Sequence, residues 1–129
     1  MKREAELKRA FTIEMTRQLP GFLILQYATA GAPDREIVGA GRSTRWEVKH
    51  GTPDFASPGD QELMCCRLAV ADHCRYIIFQ DIRGIQRTLI VRPRDVKERT
   101  SWLLDAESSC RGFDMRWLVQ QVKAAHHVA

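Results

Sequence analysis

The chain begins with apolar residues at helical spacing. Over residues 3–18 they recur every three or four positions, until Pro20-Gly21 interrupts the pattern. This pattern predicts an amphipathic helix that packs one stripe against a core. The apolar positions at this spacing are Leu7, Ala10, Phe11 and Met15, and the charged Glu14 falls at the same spacing.

Two later segments also predict helices. Ser57 is a favourable N-cap, a proline follows it at the first helical position, and Asp60 completes a capping pattern, so we expect a helix from there to about residue 73. A further helix is expected over about 113–126, and a less well defined helical region near 95–106.

Between these helices the pattern changes to the short apolar or alternating runs that are typical of strands. The expected strands are 22–28, 35–40, 44–50, 75–81 and 86–92. The first is expected to be buried. The second and third are joined only by 41–43, which contains a glycine, so they predict a hairpin. The last two predict a strand pair that turns at Gly84.

The predicted order is helix, three strands, helix, two strands and helix, with no internal repeat or linker. Hydrophobic residues make up 44% of the 129, which is enough for one core. We therefore expect a single α/β domain over residues 1–129, with a mixed central sheet.

The charge of the chain favours a polyanionic partner. Twenty Lys and Arg stand against 16 Asp and Glu, and the net charge is +4. Fifteen of the basic residues are Arg, whose planar fork binds phosphate through two hydrogen bonds. This composition fits nucleic acid, although an ordinary solvated surface is the alternative. No apolar run reaches the length of a membrane span, and the charged N-terminus is unlike a signal peptide, so a cytoplasmic protein is expected.

Three charged residues are expected to meet at the first hairpin. Glu47 and Lys49 are two positions apart on a predicted strand, so their side chains share a face while Val48 turns to the other. Asp34 precedes the partner strand, and the hairpin brings it back beside this pair. In the alternative interpretation, Asp34 only holds a turn after Pro33, and the other two form a solvated strand face.

These residue types suit a divalent cation. Two carboxylates held close together repel each other unless a cation or a proton compensates them. Mg²⁺ or Mn²⁺ prefers oxygen ligands, so Asp34 and Glu47 are the expected ligands, with the Val48 carbonyl and waters completing the shell. Such an ion polarises a scissile phosphate, and Lys49 can stabilise the developing charge. The pattern therefore predicts hydrolysis of phosphodiester bonds.

The same arrangement resembles the signature of the PD-(D/E)XK nuclease superfamily. The matching residues are Ala32-Pro33-Asp34, twelve intervening residues, and Glu47-Val48-Lys49 on the strand after a hairpin. The resemblance covers about residues 4–92, and 93–129 would be a C-terminal extension. It implies a restriction-endonuclease-like αβββαβ core.

Two further residues match the superfamily. Glu4 lies three residues before Leu7 and resembles the first-helix acid that many members place near the metal; Glu6 is its rival. Gln61 opens the helix after the Glu47 strand, where the virus-type replication-repair nucleases (VRR-NUC) carry a glutamine. The resemblance thus adds Glu4 and Gln61 to the expected catalytic set, although Gln61 could equally be an ordinary cap of its helix.

For function, the resemblance implies metal-dependent cleavage of duplex or branched DNA by a homodimer, as in Holliday-junction resolvases. The residues expected to contact DNA are Arg35, Arg42, Arg45 and His50, which lie on or beside the hairpin. Arg83, Arg87, Arg92 and Arg94 could extend this phosphate-binding rim. Scattered surface arginines are the alternative, and His50 could instead be structural.

Three other interpretations stay open. The domain could keep the nuclease fold and bind DNA or protein without cleaving it. It could be a small interaction protein that uses Trp102, Met115 and Trp117 as an apolar patch, unless these residues complete the core. It could also be a restriction-type enzyme, although no separate recognition domain is visible.

Cysteine and histidine residues elsewhere predict little chemistry. None of the four cysteines forms a C-x-x-C pair, so buried thiols in a reducing compartment are expected. A zinc site built from Cys66, His73 and Cys74 lacks a recognised spacing. His126 and His127 lie at the end of the last predicted helix and are expected to be frayed.

Overall fold

The computed structural model describes residues 2–27, 35–51, 74–92 and 108–129. Its elements are α1 (Lys2–Gln18), β1 (Leu23–Gln26), β2 (Arg35–Gly39), β3 (Arg42–His50), β4 (Cys74–Ile82), β5 (Ile85–Val91), β6 (Ser108–Arg111) and α2 (Met115–Ala125). The helices predicted over 57–73 and near 95–106, together with Gln61, lie outside the described residues. Among the described residues, no helix combines the length and the apolar character that crossing a membrane requires.

The six strands form one sheet in their sequence order, from β1 to β6. All neighbours are antiparallel except β3 and β4, which run parallel. The predicted α/β class and the mixed sheet are therefore confirmed. The parallel pair lies at the centre of the sheet, and it places β3 between its hairpin partner β2 and the strand β4.

The β2–β3 hairpin and the β4–β5 hairpin each turn through two residues with positive φ. These are Ala40 and Gly41, at 54° and 75°, and Arg83 and Gly84, at 53° and 79°. Positive φ at both central positions defines the turn whose twist matches that of the flanking strands. The link between β2 and β3 was predicted over 41–43. It consists of residues 40 and 41 only, so β3 begins at Arg42.

The core lies between α1, α2 and one face of the sheet. Alternate residues of β3, Trp46 and Val48, face it, and the ring of Phe11 from α1 lies 6.3 Å from that of Trp46. The other members from the two helices are Leu7, Met15, Leu118, Val119, Val122 and Ala125. Met115 and Trp117 pack against this cluster, so these two residues help to complete the core.

The prediction of a buried first strand over 22–28 was wrong within the described residues. Leu23 is 61% exposed and Leu25 is 38% exposed, whereas Phe22 and Ile24 pack against the core. In β1, which is the outermost strand in the sheet order, alternate side chains therefore pack against the core and those between them stay exposed. A continuous apolar run cannot distinguish this arrangement from full burial.

The sequence pattern also missed β6. Its residues, Ser108-Ser109-Cys110-Arg111, lack the apolar alternation that indicates a strand. The strand forms because it pairs with β5, from Ser108↔Ile90 to Arg111↔Arg87. Tertiary pairing thus overrides a weak local preference.

Cys74 and Cys110 are free thiols.

His126 is not frayed, contrary to the prediction. It is 1% exposed and lies edge-on to Phe22, with ring centroids 5.2 Å apart. Nδ1 lies 2.9 Å from the Gly39 carbonyl, which can only accept, so Nδ1 carries the proton. Nε2 then accepts from the Thr44 hydroxyl at 2.7 Å, and Thr44 accepts from Trp46 Nε1 at 2.8 Å. The C-terminal end of α2 is thereby hydrogen-bonded to the β2–β3 hairpin.

This buried ring gives the fold an acid-sensitive contact. Burial lowers the pKa of His126 below 6.5, and the positive charges of Arg42 and Arg75 lower it further, against the opposing effect of the hydrogen bond to Gly39. His126 is neutral when folded but binds a proton near pH 6.5 when unfolded. Its contribution is therefore complete above pH 6.5 and declines as the pH falls toward the lowered pKa.

We predict that His126→Gln removes part of the acid sensitivity. In urea unfolding at pH 7.5 and 5.5, the wild type should lose up to about 1.4 kcal/mol more than the variant, the limit set by one pH unit of linkage. His127→Gln is the matched control, because His127 is exposed. Equal pH dependence in the wild type and His126→Gln would contradict this role.

Candidate active site

Glu47 and Lys49 lie on the same face of β3, opposite the helical core. Glu47 is completely buried, and Lys49 Nζ lies 3.6 Å from its Oε1. The cross-strand neighbours of this pair on β4 are Tyr76 and Ile78, both also buried. A carboxylate in such surroundings loses its hydration, so it needs cations or hydrogen bonds close by.

The first turn of α1 reaches this site because of how β3 is paired. Within the described part of the chain, the ladder between β2 and β3 ends at Arg35↔Trp46, whereas β3 stays paired with β4 up to His50. At the edge of β3 beyond this ladder, the Glu4 carboxylate supplies a hydrogen-bond acceptor that a neighbouring strand would otherwise supply. Its Oε1 accepts the backbone N–H of His50 at 3.0 Å.

Lys8 completes the site, and the sequence analysis did not identify it. Its Nζ lies 3.3 Å from Glu47 Oε1 and 3.7 Å from Glu4 Oε2. It therefore bridges the helix and the sheet. The sequence signal was present, because Lys8 follows Glu4 by four residues and so shares its face of the helix.

The site is a compact network of alternating charge. Two carboxylates, from Glu4 and Glu47, alternate with two ammonium groups, from Lys8 and Lys49. Glu47 is fully buried, whereas both lysine side chains keep about a fifth of their surface exposed, at 20% and 23%. The carboxylate is thus fixed from two different elements while its cations remain within reach of solvent.

The structure brings together three of the five predicted catalytic residues, namely Glu4, Glu47 and Lys49. Asp34 and Gln61 lie outside the described residues. The Val48 side chain is buried in the core, as expected from strand alternation. Glu6, the rival of Glu4, is exposed.

The residues predicted to contact DNA are divided between the two faces of the sheet. Arg35 stands opposite Trp46, on the core side, and its Nε donates to Thr12 Oγ1 at 2.6 Å. Arg45 stands opposite Glu36 on the other face, 3.7 Å from its Oε2, with its guanidinium 4.7 Å from the centre of the Tyr27 ring.

The other two predicted DNA contacts also have structural partners. The His50 ring stacks on the core residue Phe79 at 5.6 Å. Arg42 is half-buried at the start of β3, and its charge acts on His126. In the extended set, Arg87 is exposed and its Nε donates to Gln80 Oε1 at 2.9 Å, whereas Arg94 is outside the described residues.

The donor chemistry fits a hard divalent cation only in part. Glu47 and Glu4 supply carboxylate oxygens, which magnesium and manganese prefer. Within residues 2–27, 35–51, 74–92 and 108–129, however, no group of three or more His, Cys, Asp or Glu stands together in a way that could hold a metal ion. The described donors therefore need at least one further oxygen ligand, the part predicted for Asp34.

Comparison of the chain with protein-family models, with curated proteins and with solved structures found no match in any of the three.

We predict strong energetic coupling between Lys8 and Glu47. Lys8→Met and Glu47→Gln should each lower the free energy of unfolding, and the double variant should lose less than the sum. The expected coupling is about 1–3 kcal/mol, because one partner is a fully buried carboxylate. Urea unfolding of the four proteins in a double-mutant cycle measures it.

An exposed ion pair on the same helix provides the control. Arg17 Nη2 lies 2.7 Å from Glu14 Oε1, and the Arg17 side chain is 68% exposed. The cycle of Glu14→Gln and Arg17→Met should give a coupling of at most about 0.5 kcal/mol. If the buried pair couples no more strongly than this exposed pair, Lys8 does not stabilise Glu47.

Proposed function

We propose that this protein is a divalent-metal-dependent DNA endonuclease of the PD-(D/E)XK type, selective for branched or junction DNA. The observation that carries the proposal is the arrangement at the β3 edge. A buried carboxylate, Glu47, and an ammonium group, Lys49, share one strand face, and an acid from the first helix, Glu4, lies against the same edge.

Each described residue has a role that follows from its position. Glu47 is held rigidly by its burial and its two cations, which suits a ligand whose geometry must not vary. Lys49, which is partly exposed, can approach a phosphate and stabilise negative charge as it develops there. Glu4 fixes the backbone at His50 and so supports the strand that carries both residues.

The resemblance supplies the remaining parts of the proposal. It implies Asp34 as the second carboxylate ligand, the Val48 carbonyl as the remaining protein ligand, and Gln61 as a further catalytic residue. A bound Mg²⁺ or Mn²⁺ ion would supply Lewis-acid activation of the phosphate and of a water molecule. The excess of arginine over lysine supports a phosphate-bearing substrate.

One observation favours a second candidate, a nuclease-like domain that binds DNA without cutting it. The Lys8 ammonium lies between the carboxylates of Glu4 and Glu47, where it already supplies positive charge. A metal ion would have to enter beside this ammonium or displace it. If Lys8 holds its position permanently, the domain keeps its DNA-binding surface and loses hydrolysis.

We predict that Lys49→Ala cuts DNA about 10²-fold more slowly than the wild type, the usual effect of losing one preorganised charge-stabilising group. The variant should remain folded and bind DNA nearly as well, because one charge is a small part of the phosphate interaction. Single-turnover cleavage of linear duplex, single-stranded, flap and four-way-junction DNA, with Mg²⁺, Mn²⁺ or EDTA, measures this effect.

Lys123→Ala is the matched control, since it removes the same charge from α2 and should cut at the wild-type rate. Cleavage by Lys49→Ala at the wild-type rate would refute the catalytic role of this strand face. If the wild type binds these DNA forms but cuts none of them with either metal, the binding domain becomes the better description.

We also expect a symmetric homodimer, because cutting two symmetric strands of a junction takes two active sites. Multi-angle light scattering at micromolar concentration, with and without junction DNA, tests this expectation. A monomer under both conditions would contradict the homodimer. It would not argue against cleavage of one strand by one active site.

A further inference from the structure

A pocket beside the candidate active site collects positive charge. It lies between α1 and the adjoining ends of β1 and β2, and its volume is about 380 Å³. Lys8, Arg9 and Arg35 line it together with the polar residues Thr12 and Gln26. Two apolar residues of α1 complete the lining, and no acidic side chain among the described residues takes part.

The three cations reach this pocket from two elements. Lys8 and Arg9 are successive residues of α1, and Arg9 is exposed. Arg35 begins β2, and its side chain lies on the face of the sheet that α1 covers, because Arg35 pairs directly with Trp46. Residues remote in sequence thus converge on one small volume, which a scattered arrangement of surface arginines would not produce.

The orientation of Arg35 is fixed by a chain of hydrogen bonds. Its Nε donates to Thr12 Oγ1 at 2.6 Å, and the Thr12 hydroxyl donates to the Lys8 carbonyl at 3.0 Å. The guanidinium plane is therefore held against the helix. An oriented guanidinium loses little conformational entropy when it binds an anion, which favours a planar two-bond contact with phosphate.

Lys8 connects the pocket with the candidate active site. The same side chain lines the pocket and lies 3.3 Å from Glu47. An anion in the pocket would therefore lie next to the network of Glu4, Lys8, Glu47 and Lys49. A phosphodiester chain that carries one phosphate into the pocket would pass Lys8, which is in contact with Glu47 at the edge of β3.

We propose that this pocket, formed by Lys8, Arg9 and Arg35, binds a backbone phosphate of the nucleic acid next to the one that is cleaved. The proposal rests on the proposed function for the identity of the polymer, and on the pocket itself for the binding of phosphate. It also assigns the phosphate contact to α1 and the start of β2, away from Arg45 on the opposite face.

Binding can be tested without cleavage. Fluorescence anisotropy of labelled duplex and four-way-junction DNA, in EDTA and over a range of salt concentrations, is measured for the wild type, Arg9→Ala and Arg35→Lys. Arg9→Ala should weaken binding about 3- to 10-fold and reduce the magnitude of the salt slope by about 1, since one phosphate contact is lost. Arg35→Lys keeps the charge but loses the fork, so affinity should fall while the salt slope stays constant.

Arg17→Ala provides the matched control, because it removes an exposed arginine from the same helix outside the pocket. Its affinity should stay close to that of the wild type, within about twofold. Competition by inorganic phosphate identifies the source of the ligand. If inorganic phosphate displaces DNA less effectively from Arg9→Ala than from the wild type, the pocket accepts a free phosphate group. If phosphate displaces DNA equally well from both proteins while Arg9→Ala binds DNA more weakly, the pocket requires a phosphate that is part of the backbone.

The outcomes separate this pocket from the catalytic proposal. If Arg9→Ala and Arg35→Lys both behave like Arg17→Ala, or if the wild type binds neither DNA nor phosphate, the pocket is not a phosphate site. If both variants weaken binding in EDTA but the wild type cuts no DNA with either metal, the pocket stands and the nuclease proposal fails.

Discussion

The compensation of one buried carboxylate determines how α1 and β3 meet at the candidate active site. Glu47 has no exposed surface, and its charge is tolerated because ammonium groups approach from α1 and from its own strand. This requirement fixes the position of α1 along its own axis, because Lys8 must reach Glu47 at the edge of β3. Beyond Trp46, where the described part of the β2–β3 ladder ends, the Glu4 carboxylate accepts the His50 N–H at the edge of β3. The contact of α1 with the edge of β3 and the geometry of the candidate site are therefore linked by the same electrostatic constraint.

The fold could be predicted where local pattern and tertiary environment agree. The stripe of Leu7, Phe11 and Met15 is buried as its spacing indicates, and both hairpins turn at the predicted glycines. The prediction failed where position in the sheet decides the outcome. The apolar run that contains β1 suggested burial, but only alternate side chains of this outermost strand pack against the core. The polar residues of β6 gave no strand signal, and that strand exists because β5 offers a partner.

For the candidate site, strand periodicity predicted which residues share a face, and it predicted nothing further. Two-residue spacing was sufficient to place Glu47 and Lys49 on one face, with Val48 on the other. It could not identify Lys8, because the contact with Glu47 spans separate elements and depends on the packing of α1 against the sheet. The same limit applies to the arginines around the hairpin. Their proximity in sequence suggested one surface, whereas the strand register separates Arg35 from Arg45.

The relay from Trp46 through Thr44 to His126 has a consequence for how the site is formed during synthesis. His126 is 82 positions from Thr44 and 87 from Gly39, so the hairpin that carries Glu47 cannot make these contacts until nearly the whole described sequence has been made. Contacts of such long range slow folding, because the entropy of loop closure is lost before the contact contributes. A nascent chain would thus carry the charged residues of the site long before they are held in place.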